Sequence, residues 1–185
     1  GDIPGVVYAT NEVTLRITVT DNLQGGLVAN TRVNGHFTNG YTTEDLDFNE
    51  AGGFTVSKVL YGRDMEAGQF EFSFEPADQD SADKLGIELR AYPFYNVAGL
   101  DGVSAPMSAL LDMALEFEDV GTTYTYKFKE VTASGNGYTC DENAYTLAIT
   151  AIDNGDGTLS ARVVITNTSA GTVITDKTVS KVNPA

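Results

Sequence analysis

The chain has 185 residues, with 26 acidic and 11 basic side chains and a formal net charge of −15, which argues against nucleic acid and anionic membrane surfaces as partners, since both are recognised through clustered Lys and Arg. One His (His36), one Cys (Cys140) and no Trp leave no zinc constellation and no intramolecular disulfide, so no metal and no cofactor is expected. With 42% hydrophobic residues, nine Phe and nine Tyr, the chain can bury a proper core, and no apolar run reaches membrane-span length.

Short runs rich in Val, Ile, Thr, Tyr and Phe alternate in polarity between Gly, Asp and Asn clusters, the punctuation of β-structure. Strands are predicted near 5–9, 13–20, 27–33, 53–61, 69–75, 86–93, 109–118, 122–132, 143–152, 158–166 and 172–182. Ala109, Leu111, Met113, Leu115 and Phe117 fall on every second position, so 109–118 is predicted as a strand despite its helix-forming composition. The run Asp78, Asp80, Asp83 is predicted as a solvated loop. Asp153-Asn-Gly-Asp-Gly157 is a hairpin turn by its Asn-Gly and Asp-Gly steps; Thr158 and Val164 stand where a calcium loop needs its sixth-position Gly and its closing Glu. The fold class is all-β.

An internal repeat organises these strands. Val13-Thr-Leu-Arg-Ile-Thr-Val-Thr-Asp-Asn22 aligns with Tyr145-Thr-Leu-Ala-Ile-Thr-Ala-Ile-Asp-Asn154, and Gly25, Leu27 and Ala29 then meet Gly157, Leu159 and Ala161 without a gap. Residues 1–41 are therefore expected to be the C-terminal portion of a preceding or complementing repeat. Residues 42–53 are expected to be an acidic linker, and 54–185 a complete domain. No signal peptide is legible, and the chain reads as a segment of a larger tandem array.

Two charged side chains fall on apolar faces. Alternation puts Phe54, Val56, Lys58 and Leu60 on one side of a strand, and Tyr124, Tyr126, Phe128 and Glu130 on one side of another, with Lys127 and Lys129 opposite. A buried charge costs several kcal/mol unless paired or neutralised. One explanation is a partly buried Lys58–Glu130 salt bridge. The other is chemical: apolar surroundings favour a neutral, nucleophilic amine and a glutamate able to shuttle protons. With an Asn carboxamide in reach, amine attack forms a Lys–Asn amide and expels ammonia, proximity supplying up to roughly 7–11 kcal/mol.

Lys58-Val-Leu-Tyr-Gly-Arg-Asp-Met-Glu-Ala-Gly-Gln-Phe-Glu-Phe-Ser-Phe74, with Gly121-Thr-Thr-Tyr-Thr-Tyr-Lys-Phe-Lys-Glu130 and the Tyr145–Ala161 hairpin, resembles the streptococcal pilin isopeptide-linkage domain of Gram-positive backbone pilins and surface adhesins. The resemblance implies an immunoglobulin-like antiparallel β-sandwich whose first and last strands are joined by a self-formed Lys–Asn bond. It implies Lys58 as the amine and Glu130 as the catalytic carboxyl. The acceptor by position is Asn183, the last Asn of the final strand. Asn167 and Asn39 are alternatives, and Phe37-Thr-Asn39-Gly-Tyr41 fits the family's aromatic-x-Asn-x-aromatic closing strand.

Neighbouring repeats of the same protein are the expected partners, with a host surface glycan or matrix protein as a further one. The expected location is extracellular, cell-wall anchored through parts of the parent not present here. The expected role is a structural stalk or shaft module, not an enzyme; any catalysis is single-turnover and directed at the chain itself. The competing reading is a glycan- or matrix-binding β-sandwich without a crosslink, using Tyr92, Phe94 and Tyr95 as an aromatic platform.

Overall fold

The computed structural model describes residues 2–51, 54, 56–106 and 111–181, in two compact units, 1–42 and 43–185. In the first, β1 (Val6–Val7) pairs antiparallel with β4 (Gly40–Tyr41), and β2 (Thr14–Asp21) with β3 (Leu27–Asn34). The β2–β3 turn is closed by Asn22, whose side-chain oxygen accepts from the amides of Gln24 and Gly26, both at 2.9 Å. Every residue of β2 and β3 is exposed.

The second unit is an all-β sandwich. Its larger layer is a six-stranded antiparallel sheet ordered β14-β13-β12-β11-β7-β8, built from β7 (Glu71–Pro76), β8 (Tyr92–Tyr95), β11 (Thr123–Glu130), β12 (Ala144–Asp153), β13 (Leu159–Asn167) and β14 (Thr172–Ser180). Alternation sends Phe72 and Phe74, Tyr124, Tyr126 and Phe128, Leu147 and Ile149, and Leu159, Ala161 and Val163 to one buried face. Phe74 stacks on Tyr126 at 5.4 Å between centroids and tilts against Phe128 at 5.2 Å. Over that face lie two short ribbons, β5 (Leu46–Asp47) with β10 (Ala114–Leu115), and β6 (Ser57–Lys58) with β9 (Ala105–Pro106). The predicted turn at 153–158 is formed, Asn154 N–H donating to the Thr158 carbonyl at 3.1 Å.

The structure corrects four expectations. Residues 43–51 are no linker: Leu46 and Phe48 are fully buried, and the Phe48 amide donates to the Met113 carbonyl at 3.0 Å. Asp47 between them and Glu44, Asp45 and Glu50 around them face solvent and disguise a strand. Asp78 does not sit in a loop but caps α1 (Gln79–Lys84), its carboxylate accepting from the Ser81 amide at 2.8 Å; six residues are too few for a 3.6-residue period to show. The predicted strand at 109–118 contracts to β10 and a 3₁₀ turn over Phe117–Asp119. Leu111, Met113 and Leu115 keep their period-two burial, but the facing strand is only two residues long; residues 107–110 lie outside the described set. The strand at 86–93 shifts to β8, because the chain leaves α1 through Gly86 at φ +64°.

β8 also dissolves the aromatic platform. Phe94 points into the core against Phe72, whereas Tyr95 projects outward. Truncating Phe48→Ala is expected to cost about 3–5 kcal/mol in urea unfolding of the full chain, where a linker position would move it by less than about 0.5 kcal/mol.

Candidate functional site: a lysine and a glutamate over an aromatic floor

β6 positions Lys58 through its pairing with Ala105, and the end of β11 positions Glu130 opposite Phe72. The two meet as the residue pattern predicts: Lys58 Nζ lies 2.8 Å from both Oε1 and Oε2 of Glu130. Their side chains are only 13% and 3% exposed. Beneath the ammonium lie the rings of Phe70, 4.6 Å from Nζ to centroid, and Phe72, at 5.8 Å, which stabilise the cation through their quadrupoles. Tyr138 packs edge-on against Phe70 at 5.1 Å, and the Arg63 guanidinium lies 5.3 Å from the Tyr138 ring.

The connection from β11 to β12 folds back over this pair. Asp141 N–H donates to Glu130 Oε2 at 3.0 Å, joining the two bonds from Lys58, and Cys140 is buried in the same connection. Burial, and then the Glu130 charge, push the Cys140 thiol above its ordinary value. Burial works to raise the Asp141 carboxyl, but donors from Tyr145 and Asn143, with the Lys58 charge, hold it below the usual aspartate value. Phe70, Asp141 and Tyr145 were given no site role by sequence reasoning, and Cys140 drew notice only as the single cysteine. Only their proximity to Glu130 gives them a role, and no periodicity encodes a loop that doubles back.

A cavity of about 280 Å³ opens beside the pair, lined by Lys58, Glu130, Asp141 and Tyr145 and by the rings of Phe72, Phe94 and Phe128. A second, of about 380 Å³, shares Val56, Ser57, Phe128 and Tyr145 with it and extends past Leu147 to Ile165 and Ile174. Together they form a groove along β6, which pairs only with β9 among the described residues.

Of the expected acceptors, Asn167 is placed away from Lys58. Asn167 lies two strands from Glu130 in the sheet, and its side-chain oxygen accepts from the Ala170 amide at 2.9 Å. Asn39 belongs to the first unit, where it accepts from the Ala9 amide at 3.0 Å. Asn183 lies outside the described residues. The registers Ser160↔Ser180, Ile152↔Ser160 and Thr123↔Thr150 set Ser180 level with Gly121, nine residues and about 30 Å from Glu130 along the strands.

A second buried pair provides a contrast. Lys84 Nζ lies 2.5 Å from Asp119 Oδ2, while Tyr124 OH donates to Oδ1 and the Glu116 amide to Oδ2. Burial would raise the Asp119 carboxyl, but these donors outweigh it and hold it below the ordinary aspartate value. Neither of the two cavities described above reaches Asp119, and this pair reads as a strut from α1 to the sheet at β11.

Two predictions follow from the pairs. Breaking the first in a chain that carries no crosslink at Lys58, by Lys58→Met or Glu130→Leu alone, is expected to destabilise by about 3–5 kcal/mol, because each leaves a buried charge uncompensated. The double variant is expected to cost less than the two singles combined, read from a double-mutant cycle in denaturant. For the second pair, Asp119 has a folded-state value below its unfolded one, so its contribution is full at neutral pH and is lost as pH falls below about 4. Asp119→Asn is therefore expected to be less stable at pH 7 and to show a shallower acid limb in thermal unfolding between pH 7 and pH 3.

Comparison with protein-family models gives a match to FctA, the Spy0128-like isopeptide containing domain, over residues 2–42 and again over 54–178. Searches of curated proteins and of solved structures find no match. The family match spans most of the chain and both of its units, its second segment runs through Lys58 and Glu130, and the chain belongs to this family of pilin-type isopeptide domains.

Proposed function

We propose that the chain is a shaft module of a Gram-positive pilin or surface adhesin, displayed outside the cell and joined to neighbouring repeats, and that Lys58 and Glu130 form an isopeptide bond with an asparagine. The observation that carries this reading is a lysine whose amine is held by a buried carboxylate over aromatic rings, beside a groove open to a further strand. An ion pair needed only for stability requires no such groove.

The chemistry is a transamidation. Glu130 takes a proton from the Lys58 ammonium, and the neutral Nζ attacks the carboxamide carbon. Glu130 gives that proton to the departing nitrogen and takes up a second one from the newly bonded Nζ, so one C–N bond forms, one breaks, and ammonia leaves. Phe70, Phe72 and Phe128 keep water from the pair and so ease the transfer from ion pair to neutral pair. The acceptor is an asparagine on a strand laid along β6, with Asn183 the first candidate and Asn39 and Asn167 the alternatives. The bond places a covalent tie across the two layers, which suits a module loaded in tension.

Intact mass under denaturing conditions tests the reading. The parent chain is expected to lack one ammonia per bond formed, and Lys58→Ala and Glu130→Ala to retain their calculated masses. Calculated masses for all three would leave Lys58 and Glu130 as a buried ion pair and overturn the proposal.

A further inference from the structure

We infer that Asp141 is a positioning residue of the Lys58–Glu130 pair: Tyr145 clamps its carboxylate to the larger sheet, and through that clamp the Asp141 backbone amide holds Glu130 in line with the lysine. The assignment rests on the reading of Lys58 and Glu130 as an isopeptide pair and names what keeps its carboxyl aimed.

Two long side chains that face each other do not fix each other's direction, since each turns about several bonds. Lys58 stands on a strand of only two residues, and Glu130 is the last residue of β11. A backbone donor moves only with the chain, and a bond from it to a carboxylate is charge-assisted. Asp141 N–H supplies one, 3.0 Å from Glu130 Oε2. Residues 139–143 belong to no helix or strand, so this amide is placed no better than the connection that carries it.

Tyr145 places it. Its backbone stands in β12 opposite Phe128 of β11, its ring lines the cavity beside the pair, and its hydroxyl donates to Asp141 Oδ2 at 2.5 Å. Asn143 donates to Oδ1 from its amide, at 2.9 Å, and from Nδ2, at 2.6 Å; these bonds close the turn on itself, whereas Tyr145 ties it to the sheet. The same donors occupy both Asp141 oxygens. A second carboxylate lining the cavity would otherwise draw the ammonium away from Glu130, yet Lys58 gives its bonds to Oε1 and Oε2 of Glu130.

The hairpin itself has no need of the hydroxyl. Val13 stands at the position of Tyr145 in the first unit, and β2 pairs with β3 there in the register that β12 and β13 adopt, Leu15↔Val33 matching Leu147↔Ile165. Tyr145→Phe therefore removes the clamp and leaves the strand.

Cell-free synthesis of the full chain, quenched at intervals, gives by intact mass the fraction of chains short of one ammonia. Tyr145→Phe and Asp141→Ala are expected to lose it about tenfold more slowly than the parent, and Asp141→Asn, whose carboxamide oxygen still accepts, within about twofold of it. The spectroscopic reading is taken in a Lys58→Arg background, which keeps the cation but cannot form the bond. There the proton of the residue-141 amide, shifted downfield by its carboxylate acceptor, is expected to move upfield and to exchange about tenfold faster with Tyr145→Phe, and to stay in place with Asp141→Asn.

A residue-141 amide unmoved by Tyr145→Phe would overturn the inference whatever the masses show. So would ammonia loss at the parental rate in Tyr145→Phe, or equal slowing in Asp141→Asn, which would make the charge and not the placement decisive; in both cases the bond itself stands. Full calculated masses in every chain, with the amide moved by Tyr145→Phe, would overturn the isopeptide reading and leave Asp141 as the positioning residue of a plain ion pair.

Discussion

The second unit depends on the cost of placing a positive charge under a sheet. Lys58 sits where its strand neighbours Val56 and Leu60 are apolar, and an unpaired ammonium there would expel β6 from the sandwich. Glu130 removes that cost, and Phe70 and the β11–β12 connection close the pair from below and above. β6 itself contributes only two paired residues to its ribbon. The ion pair therefore fastens β6 to the larger sheet far more than its own ladder does, and a conversion of that pair to an amide would make the fastening permanent.

Apart from β8, the larger sheet was legible in the residues because its strands are long and alternate in polarity. Tyr124, Tyr126 and Phe128 alternate with Lys127 and Lys129 for long enough that period two has no competitor, and the same holds for β7, β12 and β13. Lys58 and Glu130 were legible for the same reason, as charges breaking an apolar row. What escaped was short or non-periodic. Leu46 and Phe48 sit among acids and read as a tether, α1 has too few residues to show a helical period, and the loop bearing Cys140 and Asp141 has no repeat that announces its return to Glu130.

The repeat shows how little a strand's sequence decides by itself. Leu147 and Ile149 are fully buried, while their counterparts Leu15 and Ile17 are more than half exposed. The residues, the hairpin and the turn are alike, yet β12 and β13 are inner members of a six-stranded sheet whereas β2 and β3 pair only with each other among the described residues.

The two layers of the body are held by different forces. One is a ladder of strands up to ten residues long, its amides bonded across the sheet; the other comprises two-residue ribbons anchored by what their side chains bury, Leu46, Leu115 and Lys58 among them. Backbone amides in the thin layer have few partners to lose, so it can open as a separate cooperative unit while the larger sheet stays intact. Hydrogen exchange would then divide the sandwich along its midplane, and a covalent tie at Lys58 would erase that division by making the thin layer open only when the whole body does.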